Sequence, residues 1–148
     1  MTAASKEPEG MTGRRICILH AEDDRFTSAS ISRLLTLKGF FVQSAANGLE
    51  ALEKLLGKPE SFDLIITDQS MPALSGVEWL TGIRETGFAG KILVFAGDIP
   101  GDVHGRFLRL GADRIVNKTS GPKALLDAVE ELLSTPGGTK GGLHGLEN

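Results

Sequence analysis

The stretch FDLIITDQSMPALSG, residues 62–76, places an apolar run directly against an aspartate, Asp68. Residues 62–67 read as a strand whose carboxyl end delivers that acid. Working outward, the same pattern recurs. ICILHA over 16–21 is a short apolar run ending in Glu22, Asp23 and Asp24, the mark of a buried parallel strand. Further strands are predicted over 40–44, 92–96 and 114–117. Between them lie helical patterns. Residues 28–38 carry Ile31, Leu34, Leu35 and Lys38 at helical spacing and close on Gly39. Asn47 can cap a helix whose apolar face is Leu49, Leu52, Leu55 and Leu56. Residues 76–86 space Val77, Leu80 and Ile83 by threes, and 103–110 is a weaker helix interrupted by Gly105. Pro122 suits a helix N1 position, ahead of a stripe made by Leu125, Leu126, Val129, Leu132 and Leu133.

Five strands alternating with five helices demand a parallel sheet covered on both faces. Right-handed crossovers leave few topologies, and the flavodoxin-like doubly wound order 2-1-3-4-5 is expected. One domain over 14–134 is expected, flanked by tails at 1–13 and 135–148, the second a glycine-rich TPGGTKGGLHGLEN. The 148 residues, 41% hydrophobic and 24% charged, suit a soluble globular chain. A net charge of −3 gives no reason to expect a nucleic-acid partner. Cys17 stands alone and suits the cytoplasm, no apolar run approaches the roughly 18 residues of a membrane span, and the first residues do not read as a signal peptide.

In sheets of this kind ligands bind beyond the carboxyl ends of the strands. Glu22, Asp23 and Asp24 follow the first strand, Asp68 the third, Gly97 and Asp98 the fourth, and Lys118 the fifth. Clustered carboxylates repel, and one takes up a proton unless a cation compensates. A small hard ion fits, and Mg2+ is the usual one where phosphate is handled. A metal, a lysine and a carboxylate nucleophile are the parts needed to form an acyl phosphate. Singly, each residue reads as well as a turn, cap or solvated charge; their shared sheet edge is what points to chemistry.

These residues resemble the response-regulator receiver domain across nearly all of 14–133. ILHAEDD is similar to its first strand and acidic pair, FDLIITDQSMPALSG to the strand, acceptor and loop with Met71, Pro72 and Gly76 as M-P-x-x-x-G, and GADRIVNK to the segment ending in its lysine. The resemblance implies that Asp68 accepts a phosphoryl group from a histidine kinase, phosphotransfer protein or small acyl phosphate. It implies Mg2+ held by Asp23, Asp68 and the Ser70 backbone carbonyl, with Glu22 acting through water, and Lys118 paired with the phosphoryl group. Three positions depart from the family pattern. Ala96 stands where a Ser or Thr hydroxyl meets the phosphoryl group, Ile115 where an aromatic rotates inward, and Thr119 where a proline follows the lysine. The expected module is therefore phosphorylatable but altered in its conformational switch, at a cost to the phosphorylated state of roughly 1.5–3 kcal/mol for one lost bond to a charged group.

The remaining polar residues read blandly. His20 reads as a packed core histidine, His104 as solvent-facing and His144 as part of the tail. Trp79 reads as partly buried packing, Cys17 as inert, and Arg106 and Arg109 as a solvated or partner-facing helix side. The leading expectation is a stand-alone receiver, monomeric or weakly dimeric, that has no enzymatic role beyond its own phosphorylation and dephosphorylation. It would signal through the face of the fourth helix, fifth strand and fifth helix. A degenerate receiver acting as a phosphorylation-independent docking scaffold is the alternative. An aspartyl-phosphate phosphatase ranks last, because Ser70 stands where such enzymes carry an acid and the chain has no room for a cap.

Overall fold

A computed structural model describes residues 15–68, 70–71, 74–97 and 101–134, with the backbone alone at 70, 71 and 74–77. The tails expected over 1–13 and 135–148, and His144 with them, lie outside the described residues. Five strands form the main sheet: β1 (Cys17–Ala21), β2 (Phe41–Ala45), β3 (Leu64–Thr67), β4 (Lys91–Ala96) and β5 (Arg114–Asn117). All are parallel, in the order β2-β1-β3-β4-β5. The helices are α1 (Arg25–Leu37), α2 (Gly48–Gly57), α3 (Gly76–Glu85), α4 (Gly101–Arg109) and α5 (Gly121–Ser134). This is the flavodoxin-like architecture that the alternation of elements predicts.

The two-residue period of a strand divides the core. Leu19, Ile65, Ile92 and Val94 face one side, with Ala51, Leu55, Trp79, Leu80, Ile83 and Phe107 from α2, α3 and α4. Ile18, Leu64, Ile66, Leu93 and Phe95 face the other, with Ile31 and Leu35 from α1 and Leu125, Val129 and Leu132 from α5. The three central strands are buried almost throughout, whereas the edge strands β2 and β5 carry exposed positions.

Several boundaries differ from the sequence reading, each for a local reason. Helix α1 begins at Arg25 rather than 28, because the Asp24 carboxylate caps it by accepting from the Thr27 backbone N–H at 2.9 Å. Asp24 is thus a helix cap rather than a member of the acidic site. It is Gly39, with φ of 99°, that turns the chain out of α1. On α2, Leu49 and Leu56 are 54% and 67% exposed, so the expected four-leucine face is corrected. They lie roughly 100–120° around the helix from Leu55, and Gly48 and Ala51 occupy the buried stripe instead. Gly121 has φ of 91°, outside the helical region, so helical geometry in α5 starts at Pro122. A two-residue antiparallel ribbon, Ser70–Met71 against Leu74–Ser75, fills the loop between β3 and α3.

Candidate functional site

The strand register carries the site. Ala21 pairs with both Ala45 and Thr67, so the chain leaving β1 and the chain leaving β3 emerge side by side. The ladder runs one step further at each: Glu22 N–H donates to the Ala45 carbonyl at 3.0 Å and Asp68 N–H to the Ala21 carbonyl at 3.4 Å. On the far side of β4, Ala96 pairs with Asn117, which delivers Lys118 to the same edge.

There the Lys118 ammonium donates to Glu22 Oε1 and to Asp68 Oδ2, at 3.0 Å each. The other oxygen of Glu22, Oε2, accepts from the Asp24 backbone N–H at 3.1 Å. Glu22 is buried, and burial raises its pKa above the ordinary value; the bonds from Asp24 and Lys118 oppose this in part. For Lys118, burial works against the charged amine, but hydrogen bonds to Asp68 and Glu22 more than offset it and the pKa is raised. Lysine and glutamate hold one another in place in a part-buried setting, where the pair is worth more than a surface ion pair.

Asp23 is exposed and stands at the mouth. One carboxylate oxygen from each of Glu22, Asp23 and Asp68 lies within 4.8 Å of the others. Opposed ligands on a magnesium ion stand about 4.2 Å apart, twice a bond of about 2.1 Å. The all-oxygen donor set suits a small hard cation, and a span of up to 4.8 Å leaves room for one carboxylate to act through water. Ser70 follows Asp68 by two residues, at the start of the short ribbon.

The three atypical positions are also placed. Ala96 is fully buried at the end of β4, and Ile115 packs half-buried against the same core that contains it. Thr119 donates its backbone N–H and its hydroxyl to Asn117 Oδ1, at 2.9 and 2.8 Å. A proline could supply neither donor. His20 is buried, and Nδ1 has no hydrogen-bond partner; its pKa falls to about 4, mainly through burial, aided by Lys118 and opposed by Asp68. His104, Arg106 and Arg109 are exposed and Cys17 is buried.

Two side-chain placements escape a sequence reading. Trp79, expected to be partly buried, is fully buried, and its indole N–H donates to the Thr67 hydroxyl. Arg84 donates to the carbonyls of Phe88, Gly90 and Gly111, tying α3 to the turns before β4 and β5. Its hydrogen-bond partners are backbone carbonyls up to 27 residues away, and its guanidinium also stands 3.9 Å from the Asp113 carboxylate.

Comparison with known proteins follows the same outline. Residues 18–130 match the family model for the response regulator receiver domain. The chain is 37% identical over 117 residues to the transcriptional regulatory protein CpxR homolog of Haemophilus influenzae, covering 78% of this chain and 49% of that one. It is 27% identical over 131 residues to the chemotaxis protein CheY of Treponema pallidum, covering 88% and 89%. The chain thus spans about half the length of the first of these relatives, and only 7% of a Dictyostelium discoideum hybrid signal transduction histidine kinase that it also matches. Among solved structures, a CheY-like receiver domain protein from Methanospirillum hungatei JF-1 superposes with a TM-score of 0.75 at 28% identity, over 80% of this chain and 94% of that one. No described helix is long and apolar enough to cross a membrane. Sheet order, the acid–lysine cluster at the strand ends and a family match over most of the chain agree: this chain belongs to the response regulator receiver domain family.

Proposed function

We propose that residues 14–134 form a phosphoryl-accepting switch in which Asp68 is the acceptor. Receiver domains take phosphoryl groups from histidine kinases or phosphotransfer proteins and bind Mg2+ as a family, and they are not enzymes in the ordinary sense. The observation that carries the reading here is the Lys118 ammonium 3.0 Å from both the Asp68 and the Glu22 carboxylates, beside Asp23.

Asp23, Asp68 and the Ser70 carbonyl would hold Mg2+, with Glu22 acting through water. Held there, Mg2+ would supply positive charge to neutralise phosphoryl oxygens. One Asp68 oxygen attacks phosphorus, the P–N bond of a phosphohistidine or the P–O bond of an acyl phosphate breaks, and its electron pair stays with the leaving group. Lys118 then faces the new phosphoryl oxygens as a fixed positive charge. Attack of water on phosphorus later returns the carboxylate and inorganic phosphate.

Incubation with acetyl phosphate and Mg2+ should add one phosphoryl group by intact mass, and none to Asp68→Asn or in the presence of chelator. A folded, metal-loaded protein that gains nothing would instead favour the scaffold reading, to which Ala96, Ile115 and Thr119 lend support. Downstream contact is assigned to the face of α4, β5 and α5, where Arg106, Leu108, Arg109 and Arg114 are exposed. The receiver is read as signalling through protein contacts, as a monomer or weak dimer in the cytoplasm.

The switch is the atypical part. With alanine at 96 the phosphorylated state lacks one hydrogen bond to a charged group. Ala96→Ser adds a single oxygen and is expected to tighten binding of the phosphoryl mimic beryllium fluoride by about ten- to a hundredfold. Equal affinity in the two proteins would show that position 96 does not reach the phosphoryl group.

A further inference from the structure

Directly below Asp68, on the side of the sheet covered by α3, lies a hydrogen-bond chain that the acid–lysine site does not contain. Thr67 is 1% exposed, and its hydroxyl donates to the Asp68 backbone carbonyl at 3.0 Å. The Thr67 hydroxyl oxygen in turn accepts from the indole N–H of Trp79, which is 0% exposed. The relay thus runs one way, from the indole N–H through the hydroxyl to the main chain of Asp68. The indole–hydroxyl bond is buried and the bond onward to Asp68 part-buried, a setting in which such bonds reinforce one another and a missing partner is costly.

Its ends make the chain informative. One is the backbone of the residue whose carboxylate meets Lys118. The other is a large ring on α3, three residues from where that helix begins and packed in the core that also holds Ala96. Buried threonine and tryptophan could instead be ordinary packing. An isosteric valine at 67 and a phenylalanine at 79 would serve the core as well, without placing a hydroxyl and an indole donor in line with one carbonyl.

We propose that Trp79 and Thr67 are positioning residues for Asp68, and that they couple the acceptor to α3 in a protein whose buried Ala96 offers no hydroxyl for that purpose. The inference rests on Asp68 being the phosphoryl acceptor. Setting the acceptor's main chain fixes where its carboxylate stands relative to Lys118, so loss of the relay slows phosphoryl transfer. Conversely, a phosphoryl group pulling on Asp68 changes the hydrogen bond at the indole.

The test uses the full chain with acetyl phosphate and Mg2+, read in parallel by intact mass and by Trp79 fluorescence, Trp79 being the chain's one tryptophan. Thr67→Val and Trp79→Phe are expected to phosphorylate about three- to tenfold more slowly, the range set by one hydrogen bond. Thr67→Ser, which keeps the hydroxyl, should stay within about twofold of the parent chain. Fluorescence of the parent chain should shift as phosphate is gained, and Thr67→Val should gain phosphate without that shift. A merely structural role predicts equal harm from serine and valine, tracking their melting temperatures. Parent-like rates in both Thr67→Val and Trp79→Phe, with fluorescence unmoved at full phosphorylation, would overturn the relay while leaving Asp68 as acceptor. Absence of any mass gain in the parent chain would remove the acceptor reading and the relay with it.

Discussion

Lys118→Met is expected to form the aspartyl phosphate at least about a hundredfold more slowly, while binding Mg2+ more tightly than the parent chain. The two effects have opposite sign because Lys118 stands in two relations to the same acids. Before phosphoryl transfer it lies 3.0 Å from Glu22 and from Asp68 and neutralises part of the charge a metal would otherwise meet. Methionine keeps the length of the stem and removes the charge, so an incoming cation faces three carboxylates without a competitor. During transfer, however, negative charge arrives with the phosphoryl oxygens, and a preplaced ammonium at that spot stabilises it without reorganisation. Folding should survive. The Asp24 backbone N–H still holds one oxygen of Glu22, and the strand ladder still places Asp68 beside it. Calorimetric Mg2+ titration and intact-mass time courses separate the two arms. A variant that binds metal no better and phosphorylates at the parent rate would make Lys118 a solvated charge with no part in the chemistry.

What the sequence could reveal of this site follows from distance along the chain. Apolar runs ending in acids locate the carboxyl ends of strands, and the alternation of strand and helix brings those ends to one edge. Glu22, Asp23, Asp68 and Lys118 were therefore legible together, although Lys118 is 96 residues from Glu22. The fold was legible for the same reason: β1, β3 and β4 are buried so completely that little but a continuous apolar run could encode them. Finer placement was not legible. Asp24 looks like a third acid of the site until the Thr27 N–H is seen bonded to it. Leu49 and Leu56 look like core until the rotation of α2 is known. Thr67 reads as one more strand residue, and Trp79 as one more member of an apolar stripe. The bond between them depends on the angle at which α3 crosses β3, and hydrophobic spacing carries no record of that angle.

His20→Leu is expected to be at least as stable as the parent chain at pH 7.5, and to outdo it by about 3 kcal/mol more as the pH falls to 4. His20 sits between Ser44 and Ile66 in the register of the sheet, on the face it shares with Ile18, and its Nδ1 lies buried without a partner. Leucine removes that orphan at no cost in apolar contact. The pH dependence follows from the depressed imidazole, about 4 in the folded chain against 6.5 ordinarily. Between those values the unfolded chain holds a proton that the folded chain does not, so stability is full above about 6.5 and is lost as pH falls through the folded value, at about 1.4 kcal/mol per unit. Glu22 runs the other way. Its raised pKa gives stability that is present below the ordinary carboxylate value and lost as pH rises through the folded one, so the parent curve alone mixes two slopes. Subtracting the His20→Leu curve cancels Glu22 to first order and leaves the histidine. Urea unfolding of both proteins across pH 4–7.5, with chelator present, measures the difference directly. Parallel curves would mean that the folded protein admits the proton, through water reaching His20 or through Asp68 moving toward it, and that the imidazole is not held neutral in the core.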